Sequence, residues 1–230
     1  MTNINSTAQL ISEQVFENWA FAWQKLEFDP NPFDFFKNGE QILSGVVFNS
    51  RNMSSLLSTT GVSTIKIRFG LNLETKDFEI ILFGTDSTGQ IMTPYYVPSK
   101  KNYYTPDAAL GEQGRVPAEL IKQWKKNWLV TAGAGEVTSK NFVTPYGFTR
   151  GYNYSLKEFI ETLFTFRTAP DINVVFVLHE YYGVNYLTTK KVTSTFGVVL
   201  HAQNADSSGA TLQGDPDAYY DLTAPCPRTC

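Results

Sequence analysis

His179 and His201 are the only imidazoles in the chain, and each closes an apolar run: Val174–Leu178 for the first, Phe196–Leu200 for the second. Imidazole titrates near neutrality and serves as a general base. If the two runs pair as strands, His179, the adjacent Glu180 and His201 can approach one another and Asp206 at one end of a sheet, a constellation for proton transfer. The stronger expectation is structural, because a histidine that closes a core strand usually makes a local hydrogen bond.

Cys226 and Cys230 form a second candidate, in Ala224-Pro225-Cys226-Pro227-Arg228-Thr229-Cys230. Three intervening residues suit half of a zinc site. Completing it would take both histidines, which sit 22 positions apart (201 − 179) in expected core strands. Free or oxidisable thiols are therefore expected, with no metal and no cofactor. The sequence has no nucleophile elbow, phosphate-binding glycine loop, dinucleotide fingerprint or His-Glu-x-x-His motif. Gly133-Ala134-Gly135 follows a helical pattern and reads as its stop. Asp86 and Asp206 open Asp-Ser-Thr/Ser-Gly turns that lack the repeated carboxylates of a calcium loop.

A third resource is aromatic contact surface, with 17 Phe, 12 Tyr and 4 Trp. Phe35 and Phe36 lie in a proline-flanked loop. Tyr95, Tyr96, Tyr103 and Tyr104 lie in a proline-rich stretch beside Lys100-Lys101. Such residues can face a protein partner or stack on a base or sugar.

Hydrophobic periodicity supplies the elements that must hold these groups. Helices are expected over Ser6–Leu26, Ser50–Ser58, Pro117–Val130 and Tyr154–Phe164. Strands are expected at Ile65–Phe69, Phe78–Phe83, Val174–Leu178 and Phe196–Leu200. The order repeats. Phe78-Glu79-Ile80-Ile81-Leu82 matches Phe196-Gly197-Val198-Val199-Leu200 at an offset of 118 (196 − 78), and Trp19 and Trp128 are 109 apart (128 − 19). The expected fold is α+β: two similar halves, each with helices packed on an antiparallel hairpin, with the offsets suggesting a pseudo-two-fold duplication. The expected division is a first unit at 1–92, a Tyr/Pro-rich linker or loop at 93–115, a second unit at 116–212 and an extended tail at 213–230.

Phe48 to Ile91 resembles a group of short uncharacterised proteins of Bacteroidota. The shared pattern is a helix ending in Leu56-Leu57, the strand from Ile65 to Gly70, and the apolar strand and polar turn from Phe78 to Gly89. The Cys-Pro-x-x-Cys end, Cys226 to Cys230, matches the ends of those proteins too. The resemblance implies a bacterial origin and carries no activity with it.

Charge and composition narrow the function. With 19 Lys+Arg against 22 Asp+Glu the formal net charge is −3, which argues against a specific nucleic-acid partner. Lys122, Lys125 and Lys126 read as a solvated helix face. No apolar run is long enough to span a membrane, and MTNINSTAQL has neither the basic nor the apolar region of a secretory leader, so a cytoplasmic chain is expected. The favoured expectation is a non-catalytic interaction or assembly protein that binds a protein partner or itself through aromatic surfaces. The alternatives are a small-ligand module that stacks a sugar or base on the Tyr-rich loop, and an enzyme or effector using His179, Glu180 and His201.

Overall fold

The structure is a computed structural model. It describes residues 9–28, 32–104, 118–144, 146–163, 171–182, 192–203, 219–220 and 224–226.

Four helices and fourteen strands occur among these residues. In the first part of the chain they are β1 (Leu10–Ile11), α1 (Glu13–Lys25), β2 (Lys37–Asn38), β3 (Gln41–Phe48), α2 (Ser50–Ser58), β4 (Thr64–Asn72), β5 (Asp77–Thr85), β6 (Tyr95–Tyr96) and β7 (Lys100–Tyr104). Then follow α3 (Ala118–Gly133), β8 (Val143–Thr144), β9 (Gly147–Phe148), β10 (Gly151–Ser155), α4 (Leu156–Leu163), β11 (Asp171–Tyr182), β12 (Val192–Gln203), β13 (Tyr219–Tyr220) and β14 (Ala224–Cys226). The fold is α+β with antiparallel sheets, as expected.

Local chemistry sets the helix starts. Ser12 caps α1: its side chain accepts from the Val15 amide at 3.3 Å. Glu13 in the first turn and Lys25 in the last complement the helix dipole. Asn49 caps α2 by accepting from the Asn52 amide at 2.9 Å. The Asp86 turn is an Asx-type turn, in which one carboxylate oxygen accepts from the Thr88 and Gln90 amides and from the Thr88 hydroxyl.

The strands form two main sheets. The first has the order β1-β6-β5-β4-β10-β14. The second has the order β13-β12-β11-β3-β2, with β7 also paired to β3. Alternation places Ile65, Ile67, Phe69 and Leu71 of β4, with Phe78, Ile80 and Leu82 of β5, on one face. They meet Val174, Phe176, Leu178, Phe196, Val198 and Leu200 of β11 and β12 in a shared core. Phe69–Phe196 and Phe78–Phe176 are edge-to-face pairs across the sheets, with ring centroids 5.7 and 5.6 Å apart. Each sheet carries a helix on its outer face. α1 packs on β4, with Phe16 and Trp19 against Ile81, Phe83 and Tyr95. α3 packs on β11, with Ile121 and Trp124 against Val175, Val177 and Val199.

The pairing pattern of the first half recurs in the second, and the two patterns interlock. β4 pairs β5 and β10, while β11 pairs β12 and β3. β6 pairs β5 and β7 pairs β3, as β13 pairs β12 and β14 pairs β10. β3 therefore lies in the sheet of the second-half hairpin, and β10 in that of the first-half hairpin. The registers agree as well. Leu71 opposes Phe78 as Leu178 opposes Phe196, so the Phe78 and Phe196 segments occupy matching positions. The β2–β3 pair Lys37/Ile42 recurs as Val143/Phe148, each residue 106 positions later (143 − 37, 148 − 42). Phe36 and Phe142, also 106 apart (142 − 36), stack nearly parallel on one another with centroids at 5.7 Å.

This exchange corrects the expected domain division. The sequence halves are not separate bodies, because each lends strands to the sheet of the other. Part of the supposed linker is β6 and β7, and part of the supposed tail is β14. Lys101 of β7 also ties the sheets at one corner. Its Nζ lies 2.7 Å from Glu79 Oε1 and 3.1 Å from Asp77 Oδ2, both on β5.

Candidate functional site

The sheet register separates the two histidines. His179 opposes Thr195, whereas His201 opposes Asn173, six positions earlier on β11. At about 3.3 Å per residue that is about 20 Å, so the expected convergence of His179, Glu180 and His201 does not occur. His179 is a packed wedge. Its ring lies over Gly197, where no Cβ would fit, and against Trp124 with centroids 4.3 Å apart. Burial lowers its pKa to about 4, which leaves it neutral at pH 7. Glu180 accepts from Asn127 Nδ2 at 3.2 Å on the α3 side. Asp206 lies outside the described residues.

The aromatic candidates are core. Phe36, Tyr95 and Tyr96 are buried. Phe35, Tyr103 and Tyr104 are half-buried and packed against the main cluster. The contacts that the structure gives these rings are with the core. Cys226 opposes Gly151 in β14, and Cys230 lies outside the described residues. Among the described residues no group of three His, Cys, Asp or Glu side chains could hold a metal.

A different site lies beneath α1. The outer face of β4 presents Lys66, Arg68 and Gly70 in alternation. Gly70 lets α1 approach closely, since a Cβ there would stand 2.9 Å from that of Trp19. One turn along, Phe16, Glu17, Ala20, Phe21 and Gln24 of α1 line a cleft of about 290 Å³ with Arg68 and Arg150. Arg68 is buried. Its Nη1 donates to the carbonyls of Ile67 (2.8 Å) and Tyr152 (3.1 Å), and its Nη2 to Asn153 Oδ1 (2.9 Å). Among the described residues no carboxylate pairs with it: the ion pairs found there are both made by Lys101. Burial pushes the guanidinium pKa down to about 10, so it remains a cation at pH 7. Arg150 is exposed at the rim, and the amide of Phe69 donates to its carbonyl at 3.0 Å.

The matching face of the other half is apolar among the described residues. Arg68 opposes Gly151 as Val175 opposes Gly45, so Val175 stands where Arg68 stands in the first half. It packs with Ile121, Val177, Val199 and Trp124. The helices align through Trp19/Trp23 and Trp124/Trp128, both at an offset of 105 (124 − 19, 128 − 23), which sets Lys125 where α1 has Ala20. Lys125 is half-buried, and burial lowers its pKa. One half has a lysine over a valine at this position. The other has a short alanine there, above a buried cation.

Sequence reasoning missed Arg68 because Ile65-Lys66-Ile67-Arg68-Phe69 reads as a strand with one wet face. The available signal was α1 itself. Phe16 and Trp19, apolar in addition to the Trp23 stripe, need a second surface to cover, and that surface is the face bearing Arg68. No helix among the described residues is long and apolar enough to cross a membrane. No protein family, curated protein or solved structure matches this chain.

Proposed function

We propose that this chain is a non-catalytic binding protein built from two strand-exchanging copies of one unit, and that the cleft beneath α1 is its working site. The observation that carries this reading is Arg68, a buried cation with no carboxylate partner among the described residues, lining a cleft where the other half has the apolar Val175. Burying an unpaired charge destabilises a fold unless something compensates it. Two matching halves that differ at one helix–sheet face locate the difference that function can use. The lack of converging acid, base or nucleophile among the described candidates favours binding over chemistry.

Thermal denaturation of the full chain against a panel of small acids, sugars, nucleosides and neutral aromatics tests this. A saturable rise in Tm with one class supports it, since a ligand of the folded state stabilises by mass action. A flat response across the panel, together with a mass above that of a monomer by light scattering, favours assembly instead. One observation speaks for that second reading: Phe21 and Phe28, near the C-terminal end of α1, are 60% and 86% exposed.

A further inference from the structure

We propose that the cleft beneath α1 binds a planar carboxylate carried on a small apolar body, seated on Arg68 and Arg150. The inference rests on the binding reading above and names the ligand chemistry.

Guanidinium presents five N–H donors in a flat fork that matches a carboxylate. Three donations from Arg68 are made to protein oxygens, which leaves two N–H groups for a ligand. Those three bonds also fix the fork rigidly between β4 and β10, so little side-chain entropy is lost on binding. Charge in the cleft points the same way. Two arginines face one acid, Glu17, and no ion pair within 4 Å joins them. The net positive charge is held in a partly apolar enclosure, where it attracts an anion more strongly than in water.

Phe16, Ala20 and Phe21 supply apolar walls, and Gln24 adds an amide. A volume of about 290 Å³ sits at the low end for ligand sites, which suits a single-ring or short-chain acid better than a nucleotide. Such an acid can be a free small molecule or the terminal carboxylate of a peptide.

The test is an NMR titration of the isotope-labelled full chain at constant ionic strength. Benzoate is the probe, benzamide the neutral isostere and inorganic phosphate the non-planar anion. A short peptide is run with a free and with an amidated C-terminus. The expected result is saturable shifts of the Arg68 and Arg150 Nε signals and the Ala20 amide by benzoate. The dissociation constant should be on the order of 1 mM, with benzamide at least about tenfold weaker. Arg150→Glu, at the exposed rim, should weaken benzoate about tenfold without lowering Tm, and Glu17→Gln should tighten it. Arg68→Lys removes the fork but also loosens β4 from β10, so Arg150→Glu is the decisive variant.

Equal binding of benzoate and benzamide at the cleft overturns the carboxylate inference and leaves the binding reading standing. Phosphate binding as well as benzoate overturns the preference for a planar acid. Absence of any shift at cleft residues overturns the carboxylate inference, and the thermal panel then decides the binding reading. Preference for the free over the amidated peptide, at an affinity above that of benzoate, assigns the acid to a protein terminus. The reverse order assigns it to a free small molecule.

Discussion

The indole Nε1–H of Trp23 donates to the carbonyl oxygen of Thr149 at 2.8 Å, linking residues 126 positions apart. Trp128 makes the matching bond, donating to Leu43 at 3.0 Å, and Thr149 follows Leu43 by 106 positions (149 − 43). Each tryptophan reaches past its own sheet into the common core and grips the other half. Their surroundings match too. Trp23 meets Phe142 edge-on at 5.1 Å, and Trp128 meets Phe36 edge-on at 5.2 Å. Replacing either tryptophan by phenylalanine leaves a buried carbonyl without its donor, at about 1–3 kcal/mol, and adds a cavity term. Urea denaturation should show Trp23→Phe and Trp128→Phe destabilised to a similar degree. A silent variant at either position would break the equivalence of the two contacts.

Gly45 and Gly151 sit at the crossings of the exchanged strands. A Cβ on Gly45 would stand 2.5 Å from the Val174 carbonyl oxygen, and one on Gly151 would collide with the Ile67 carbonyl. Gly151 also adopts φ +144°, a conformation L residues avoid. The obstacle in both cases is paired backbone, which cannot rotate away. Gly45→Ala and Gly151→Ala should each destabilise by about 3 kcal/mol or more. Gly133→Ala serves as the contrast, because a Cβ there meets only Ile42 Cδ1 at 3.6 Å, an ordinary contact. That change should be neutral or stabilising by up to about 1 kcal/mol. Comparable losses for all three would remove the steric argument.

Much of the fold was legible in local pattern, while its closure was not. The α2 range follows from Met53 and Leu56 on one face, Asn49 before it and Gly61 after it. The match of Phe78–Leu82 to Phe196–Leu200 coincides with the sheet register, whereas the offset of Trp19 to Trp128 pairs the wrong members of two Trp-x-x-x-Trp motifs. β3 and β10 escaped notice for a physical reason. Gly45 interrupts one, the other is the short, partly polar Gly151–Ser155, and each pairs with a strand of the opposite half. Periodicity reports which face a residue prefers, not which distant strand will cover it. Arg68 was lost the same way, since a face covered by a helix and a face covered by water give one alternation.

Lys101 provides a test of the corner between the sheets. Desolvation raises the pKa of the buried Glu79, an effect that Lys101 opposes. Burial pulls the Lys101 ammonium down, but Glu79 and Asp77 outweigh this and hold its pKa above the usual value. Lys101→Met leaves Glu79 buried beside Asp77 without its cation, which should destabilise by about 3–5 kcal/mol at pH 7. The Glu79 pKa then rises further above its unfolded value. Stability linked to such a group is present at low pH and lost as pH rises through the folded pKa. The deficit of Lys101→Met should therefore shrink between pH 7 and pH 5, and adding Glu79→Gln should recover part of it. A deficit that stays constant with pH would mean that lost packing, not the stranded carboxylate, sets the effect.

His179 supplies the opposite pH dependence. Its folded pKa, lowered by burial to about 4, lies below the ordinary value of 6.5. Below 6.5 the unfolded chain binds a proton that the folded one refuses, so stability falls as pH drops from 6.5 toward 4 and levels off below that. The full shift corresponds to on the order of 3 kcal/mol. The environment explains the direction: Trp124 and Gly197 pack against the ring and strip part of its hydration. His179→Gln should flatten the stability profile between pH 6.5 and 4 relative to the unmodified chain, at the expense of packing on Trp124 at pH 7. Parallel profiles for the His179 variant and the unmodified chain would mean that protonation of this ring does not drive acid unfolding, and the slope would then have to come from the carboxylates.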